Sequence, residues 1–508
     1  MTRHYFLLIF LIFVFSLASF SASATTAAFE RWTFDNTQLS KSEDMGLLGW
    51  NYSIEYETLP LYTGLGIYSA VTGDRGGFFV GGFEFGLRLP VYQKLLFDAG
   101  YYAGGGGGGA APQGGGLMLR PHLSLLYTVH TGQHIGLGYS QVSFPNGDIY
   151  SGQLSFQYEH DFNLWIKPGW FFTQKSFVLP SDSSNRFADR QFGVHYTHYL
   201  LPPLHQGRSG KILSRMDVVG VRARTRFNSS AWWFEFDTGG AFAGGVDGYA
   251  QVLAGLSRRF NLSQSAGLHI GLMPGASGGG DVDTGGGALY RAFAGLDIPL
   301  WFNTSLLLDA GYIQALDGEF NAWMLNSGLV LNYSAYSSSS TGVRNFSKAY
   351  WQEISLRAGV QRYVLKGDLG RKSTRYTDIP VDLVTLKLEY QINPHVFLTG
   401  QALGAYDGGA GGYAVGFLGG GLWTPGLGRA NLRAGTEVTA GAAGGGGLDV
   451  GGGILFQAML NFAADITQST GLYISAGRVV APEGGMNSPV LEAGLQFRLG
   501  VPRALASE

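Results

Sequence analysis

Arg222, Arg224 and Arg226 stand on alternate positions, and Glu235 and Asp237 follow with the same spacing in the next apolar-rich segment. Residues two apart share one face of a β-strand, so this spacing sets a row of guanidiniums beside a row of carboxylates on the neighbouring strand. Two kinds of chemistry fit. Charged rows lining a pore set its ion selectivity; the same charges in a narrow barrel form an interior salt-bridge network, each compensating its neighbour. Both signs occur together, which favours the network. Glu84, Arg88, Arg120 and His122 repeat the mixture early in the chain, and Lys387, Glu389, Arg433 and Glu437 repeat it late. All of these are expected to face a barrel lumen.

Other chemistries find little support. The chain has no Cys, which removes disulfides, thiolate metal sites and Cys nucleophiles together. His195, His198 and His205 lack the carboxylate spacing of a metal site, and no Ser/His/acid set can be assembled, so neither catalytic residues nor cofactors are expected. A formal charge of −2 gives no reason to expect nucleic acid. The tips GGGDVDTGGG, GGGLDVGGG and GDRGG resemble calcium-binding nonapeptide repeats of secreted β-helix toxins, but those need consecutive copies and each tip here stands alone. They read as flexible extracellular turns.

The elements that position these residues are strands. In 79–89, Phe79, Gly81, Phe83, Phe85, Leu87 and Leu89 alternate with Val80, Gly82, Glu84, Gly86 and Arg88. Leu154, Phe156, Tyr158 and Phe162 oppose Gln153, Ser155, Gln157, Glu159 and Asp161, with His160 as the exception on the apolar side. Period-two alternation predicts strands with one apolar and one polar face. Soluble sandwiches alternate too. The apolar faces here, however, keep a length of roughly ten residues over some two dozen segments, close to what a tilted strand needs to cross a bilayer. Aromatics (Trp32, Trp50, Tyr92, Tyr101, Trp165, Trp232, Trp301, Trp323, Trp423) crowd the segment ends, where interfacial girdles lie.

Gly accounts for 80 of 508 residues, far above the usual share, and it is patterned. GGG triplets at 114–116, 285–287 and 451–453 each follow a second Gly-rich turn (73–77, 244–248, 407–411), which marks three units of about 170 residues. The middle unit counts about eight strands, so the chain should hold about 24. The longer connections (202–215, 244–248, 274–287) alternate with short polar ones (228–231, 261–265, 303–305); in outer-membrane barrels the long set faces outward. An even strand count then puts both termini in the periplasm.

Residues 1–24 have the charge, apolar run and small-residue end (Ala22-Ser23-Ala24) of a cleaved secretory signal peptide. The expected division is repeat 1 at 25–162, a periplasmic link at 163–190, repeat 2 at 191–333, a link at 334–351, repeat 3 at 352–499 and a tail at 500–508. Near the end, Glu492, Gly494, Phe497 and Leu499 in LEAGLQFRL resemble the C-terminal assembly signal of Gram-negative outer-membrane barrel proteins. Asn326, Gly328, Leu331 and Tyr333 fit the same pattern at the end of the second unit. The resemblance implies an all-β transmembrane antiparallel barrel in outer-membrane lipid, built by the barrel-assembly machinery. One barrel of about 24 strands is the favoured architecture, with three tandem eight-stranded barrels as the alternative. A porin-like channel for hydrophilic solutes or an exported polymer is the first functional expectation; a non-conducting structural or surface-interaction protein is the second, and a barrel hydrolase the last.

Overall fold

The computed structural model describes residues 26–504 except 41, 58, 170–175, 179–186, 228–229, 264–265, 337–347, 366–369, 373–377 and 429. The signal peptide, half of the first link, most of the second and residues 505–508 lie outside the described residues. The alternation becomes strands throughout. The first unit contains β1 (Thr26–Ser40), β2 (Glu43–Glu55), β3 (Leu61–Thr72), β4 (Phe79–Tyr92), β5 (Leu95–Gly107), β6 (Leu117–His130), β7 (Gln133–Ser143) and β8 (Tyr150–Leu164). Two short strands follow in the first link, β9 (Lys167–Pro168) and β10 (Phe177–Val178). The second unit contains β11 (Phe187–Leu200), β12 (Arg215–Arg226), β13 (Trp232–Ala243), β14 (Ala250–Ser263), β15 (Ala266–Gly278), β16 (Ala288–Pro299), β17 (Thr304–Ala315) and β18 (Asn321–Tyr336). The third contains β19 (Lys348–Tyr363), β20 (Val381–Gln391), β21 (Val396–Asp407), β22 (Ala414–Trp423), β23 (Arg433–Gly444), β24 (Ile454–Asp465), β25 (Thr470–Val480) and β26 (Asn487–Ala504).

Each unit closes on itself. β1 pairs antiparallel with β8 from Thr26↔Leu164 to Asp35↔Ser155. β11 pairs with β18 from Phe187↔Tyr336 to Leu200↔Trp323, and β19 pairs with β26 from Ala349↔Ala504 to Tyr363↔Val490. The chain is therefore three tandem eight-stranded barrels, the alternative architecture rather than the favoured single wall. The physical reason is that these first-to-last ladders satisfy the edge strands of each unit internally. The segment expected as a tail also changes character, because β26 runs to Ala504. Within the first link, β9 pairs with β26 and β10 with β19.

The three barrels touch head to tail. β3 of barrel 1 contacts β15 and β16 of barrel 2, β13 of barrel 2 contacts β22 and β23 of barrel 3, and β21 of barrel 3 contacts β4, β5 and β6 of barrel 1. Each unit offers its third strand to one neighbour and strands around its fifth to the other, so the contacts close into a ring of three with pseudo-threefold symmetry. The strand between, the fourth, faces the axis at this end. We call this the outer end; all six termini of the barrels lie at the inner end. Outward rows elsewhere expose large apolar side chains, among them Leu125, Leu137, Leu154, Leu272, Leu329 and Leu460.

Candidate functional site

Two constellations stand apart from ordinary barrel walls: the charged interiors and the glycine joint at the axis. Inward positions of each barrel carry the mixed charges that alternation assigns to the polar face. In barrel 1, Arg31 lies 3.0 Å from Glu84, 2.6 Å from Asp98 and 2.6 Å from Glu159. Arg120 pairs with Asp35 at 2.6 Å, His122 with Asp98 at 2.7 Å, and Arg88 with Glu159 at 3.0 Å. In barrel 2, Arg222 Nε donates to Glu235 at 2.8 Å, and its Nη1 pairs with Asp309. Arg224 donates to Glu235 at 3.0 Å, and Arg291 pairs with Asp237 at 2.9 Å. In barrel 3, Lys387 lies 2.6 Å from Glu492 and 3.4 Å from Glu437, and Arg357 lies 2.8 Å from Glu389.

These groups are dry. Arg31, Arg120, Arg222, Arg224, Arg291, Arg357 and Arg498 head the largest fully buried side chains. An eight-stranded barrel is just wide enough for side chains to fill it, and an isolated buried charge costs far more than a paired one, so wall size and charge pairing explain each other. Arg357 is also sandwiched between Trp423 and Tyr473, 4.8 and 4.9 Å from their ring centres. Towards the outer end each interior turns apolar. One such cluster includes Met45, Tyr68, Phe78, Tyr102, Met118 and Phe144, and the other two barrels have their own.

The residues expected to face a lumen do lie inside barrels, but no wet lumen surrounds most of them. Glu84, Arg120, Arg222, Arg224, Glu235, Asp237, Lys387, Glu389, Arg433 and Glu437 are buried. Arg226 is part-buried at the inner end, 3.2 Å from Asp189. Arg433 lies 4.8 Å from the Trp423 ring, and Arg88 reaches Asp161 at 2.9 Å. Of the residues resembling an assembly signal, Glu492 accepts from Tyr473 at 2.8 Å, and Gly494 sits where a Cβ would come within 2.9 Å of the Tyr473 ring. Phe497 and Leu499 lie on the opposite, outward row of the same strand. Sequence reasoning missed Arg31, Asp35, Asp98, Arg291, Asp309 and Arg357. Their signal was present: Arg31, Thr33, Asp35 and Thr37 make an alternating polar row, and Asp309 interrupts the run LLLDAGY. The aromatics divide likewise. Trp232, Trp301 and Trp323 are exposed, but Trp32 and Trp50 stack at 5.4 Å in the joint between barrels 1 and 2, and Trp423 is buried inside barrel 3.

The glycine tips depart most from expectation. They are not loose turns but the packed joint of the three barrels. Gly77, Gly279, Gly248, Gly445, Gly412 and Gly108 follow one another around the axis, alternating between the two Gly-rich turns of each barrel. A Cβ on any of them would meet backbone of the next at between 2.1 and 3.0 Å. All six have φ between +82° and +121°, a region costly for other residues. The triplets pack alongside: Gly286 against Thr72 of barrel 1, Gly115 against Asp407 of barrel 3, and Gly452 against Phe242 of barrel 2. Gly76 N donates to Gly285 O at 2.8 Å and Gly412 N to Gly106 O at 3.0 Å across barrels. Side chains strap the collar from outside: Arg208 donates to Asp74 O at 3.0 Å, Lys372 to Asp247 at 2.7 Å, and Asn146 to Asp407 at 3.5 Å. Two Asp residues of the tips serve their own turns, Asp283 accepting from Gly285 N at 3.2 Å and Asp449 from Gly451 N at 3.4 Å.

Chemically, the interiors hold charge in place and the collar holds backbones together. Among the described residues no group of His and acidic side chains is arranged to hold a metal ion. No protein-family model and no curated protein matches the chain. Solved structures align along most of it at low similarity. The siderophore receptor PirA from Acinetobacter baumannii is 9% identical with a TM-score of 0.28, covering 94% of this chain and 81% of that one. The outer membrane protein opdK from Pseudomonas aeruginosa is 9% identical with a TM-score of 0.20, covering 94% and 99%. A bacterial polysaccharide outer membrane secretin is 6% identical with a TM-score of 0.20, covering 93% and 98%.

Proposed function

We propose that the protein is an outer-membrane protein of a Gram-negative bacterium in which three filled barrels form one rigid, non-conducting unit that serves a structural or surface-interaction role. The observation that carries this reading is the filling of the barrels: paired, buried charges through the middle and an apolar cluster towards the outer end of each. A channel for hydrophilic solutes needs water where these side chains stand.

Membrane residence rests on the outward rows. Barrel strands of ten to eighteen residues reach the ~9–11 that a tilted strand needs to span a bilayer, and their outer faces expose leucine, isoleucine, phenylalanine and tryptophan. Export through the cleaved signal peptide, periplasmic termini and handling by the barrel-assembly machinery at Glu492, Gly494, Phe497 and Leu499 belong to the same reading, as does a collar on the cell surface. Fractionation and heat-modifiable migration test residence: the folded protein should sediment with outer membranes and run faster before boiling than after. Planar-bilayer recording tests the role. Folded protein should give no current steps; large, stable steps would overturn the non-conducting reading and return the channel.

A further inference from the structure

The line along which neighbouring barrels touch descends obliquely, because barrel strands are tilted. At the outer end β3 meets β15 and β16. Lower down, Trp50 of β2 meets Phe236 of β13 with ring centres 5.3 Å apart. Lower still, Tyr52 of β2 has Arg190 of β11 among its charged neighbours. The strand facing the axis therefore passes from the fourth, under the collar, to the third and then the second.

On those axis-facing rows, side chains are open where three barrels surround them. Gly81, Gly416 and Ala402 are exposed. A Cβ on Gly81 would meet nothing within 4 Å, and one on Gly416 only the Gln401 carbonyl at 3.9 Å. Further down, Leu388 is 46% exposed and Tyr52 42%. The glycine collar roofs this space. Its floor is an aromatic cluster with one residue from each barrel: Trp165, Tyr336 and Trp351, with Trp165 at 5.2 Å from Tyr336 and 5.8 Å from Trp351.

The two ends of the chamber differ. The upper wall is glycine, alanine and leucine. The lower wall carries Tyr52, the His160–Glu30 pair at 3.5 Å, and Arg190. Arg190 Nη2 donates to the Tyr336 carbonyl at 3.1 Å, while its Nε is buried without a hydrogen-bond partner. His160, which breaks the apolar row of β8, thus lies near this chamber, beside Phe162, whose ring is 4.8 Å from Tyr52.

An apolar shaft ending in an under-satisfied guanidinium and a phenol suits an anionic amphiphile. We propose that the chamber holds one phospholipid of the surrounding membrane, acyl chain beneath the collar and phosphate against the Arg190 guanidinium and the Tyr52 hydroxyl. The inference rests on the membrane reading above. The chemistry is recognition by charge-assisted hydrogen bonding at one end and hydrocarbon burial at the other.

The test is native mass spectrometry of the full chain, incubated in dodecylmaltoside with dioleoylphosphatidylglycerol and then washed with detergent. One retained lipid per chain is expected. Ala402→Phe combined with Gly416→Phe should lower retention at least tenfold, and so should Arg190→Gln; Arg258→Gln, at an exposed arginine over Trp232 and Phe260, should leave it unchanged. Heat-modifiable migration confirms that each variant is folded. A folded wild type that retains no lipid, or a plugged variant that retains as much as wild type, overturns the proposal while leaving membrane residence standing. Failure to fractionate with membranes would instead remove the reading beneath it.

Discussion

The barrel interiors and the glycine collar solve the same problem, close approach of polar groups away from water, by opposite means. Inside a barrel the approach is between side chains. Arg31 gathers three carboxylates within 3.0 Å, and every member must be present, because a buried charge left alone is worse than none. At the collar the approach is between backbones, and side chains must be absent: six glycines at positive φ pack where a Cβ would collide with the backbone of the next glycine, which lies in the neighbouring barrel for Gly77, Gly248 and Gly412. Each network lies within one barrel and stabilises that barrel by itself. The collar lies between barrels and stabilises only their arrangement. Barrel stability and barrel association should therefore be separable.

The largest effect should come from breaking an interior. Arg31→Ala removes the shared partner of Glu84, Asp98 and Glu159 and should cost about 3–5 kcal/mol, read as loss of heat-modifiable folded protein or a lower urea midpoint. Barrels 2 and 3, cut free at the links, should keep their wild-type midpoints; a shift in all three would break the comparison. Next is the collar. Gly77→Ala places a Cβ 2.3 Å from the Gly279 nitrogen of barrel 2 at φ +89°, and should cost about 1–3 kcal/mol through backbone strain and displacement. The expected signature is lost cross-linking between 74–77 and 279–287 with every barrel still folded.

Smaller effects sharpen the picture. The strap from Lys372 to Asp247 is half-exposed, so Lys372→Ala should change collar protection in hydrogen exchange by less than about 1 kcal/mol, and the difference should vanish in high salt. The outer loop 201–214 adds a pH dependence. His205 packs against the Phe320 ring at 6.4 Å, and burial lowers its pKa below the usual value. Its opened state therefore binds the proton more readily. The packed loop should keep its full stability above about pH 6.5 and lose it progressively as the pH falls through that value. Hydrogen exchange across 201–214 at pH 7.5 and 5.5 checks this, and His205→Phe should abolish the difference.

Strand content, the inward and outward faces and eight strands per unit were legible, because one polar and one apolar face leave a period-two record in every segment. The paired charges were half legible. Arg222 with Glu235 could be read from adjacent strands, whereas Arg31 with Asp98, or Lys387 with Glu492, join strands far apart in the chain that come together only when the barrel closes. Trp50 and Trp423 were misassigned to a girdle, since an aromatic near a strand end reads alike whether it meets headgroups, another barrel or an arginine.

By itself, the sequence determined that the chain would fold as three similar eight-stranded units with charges on one face and hydrocarbon on the other. Local periodicity and turn chemistry carry that much. Only the tertiary structure decided that each unit closes on itself and that the glycine tips interlock instead of waving in solvent. Closure depends on pairing the first strand of a unit with its last, and interlocking depends on backbone distances between units. Neither is a property of any stretch of residues taken alone.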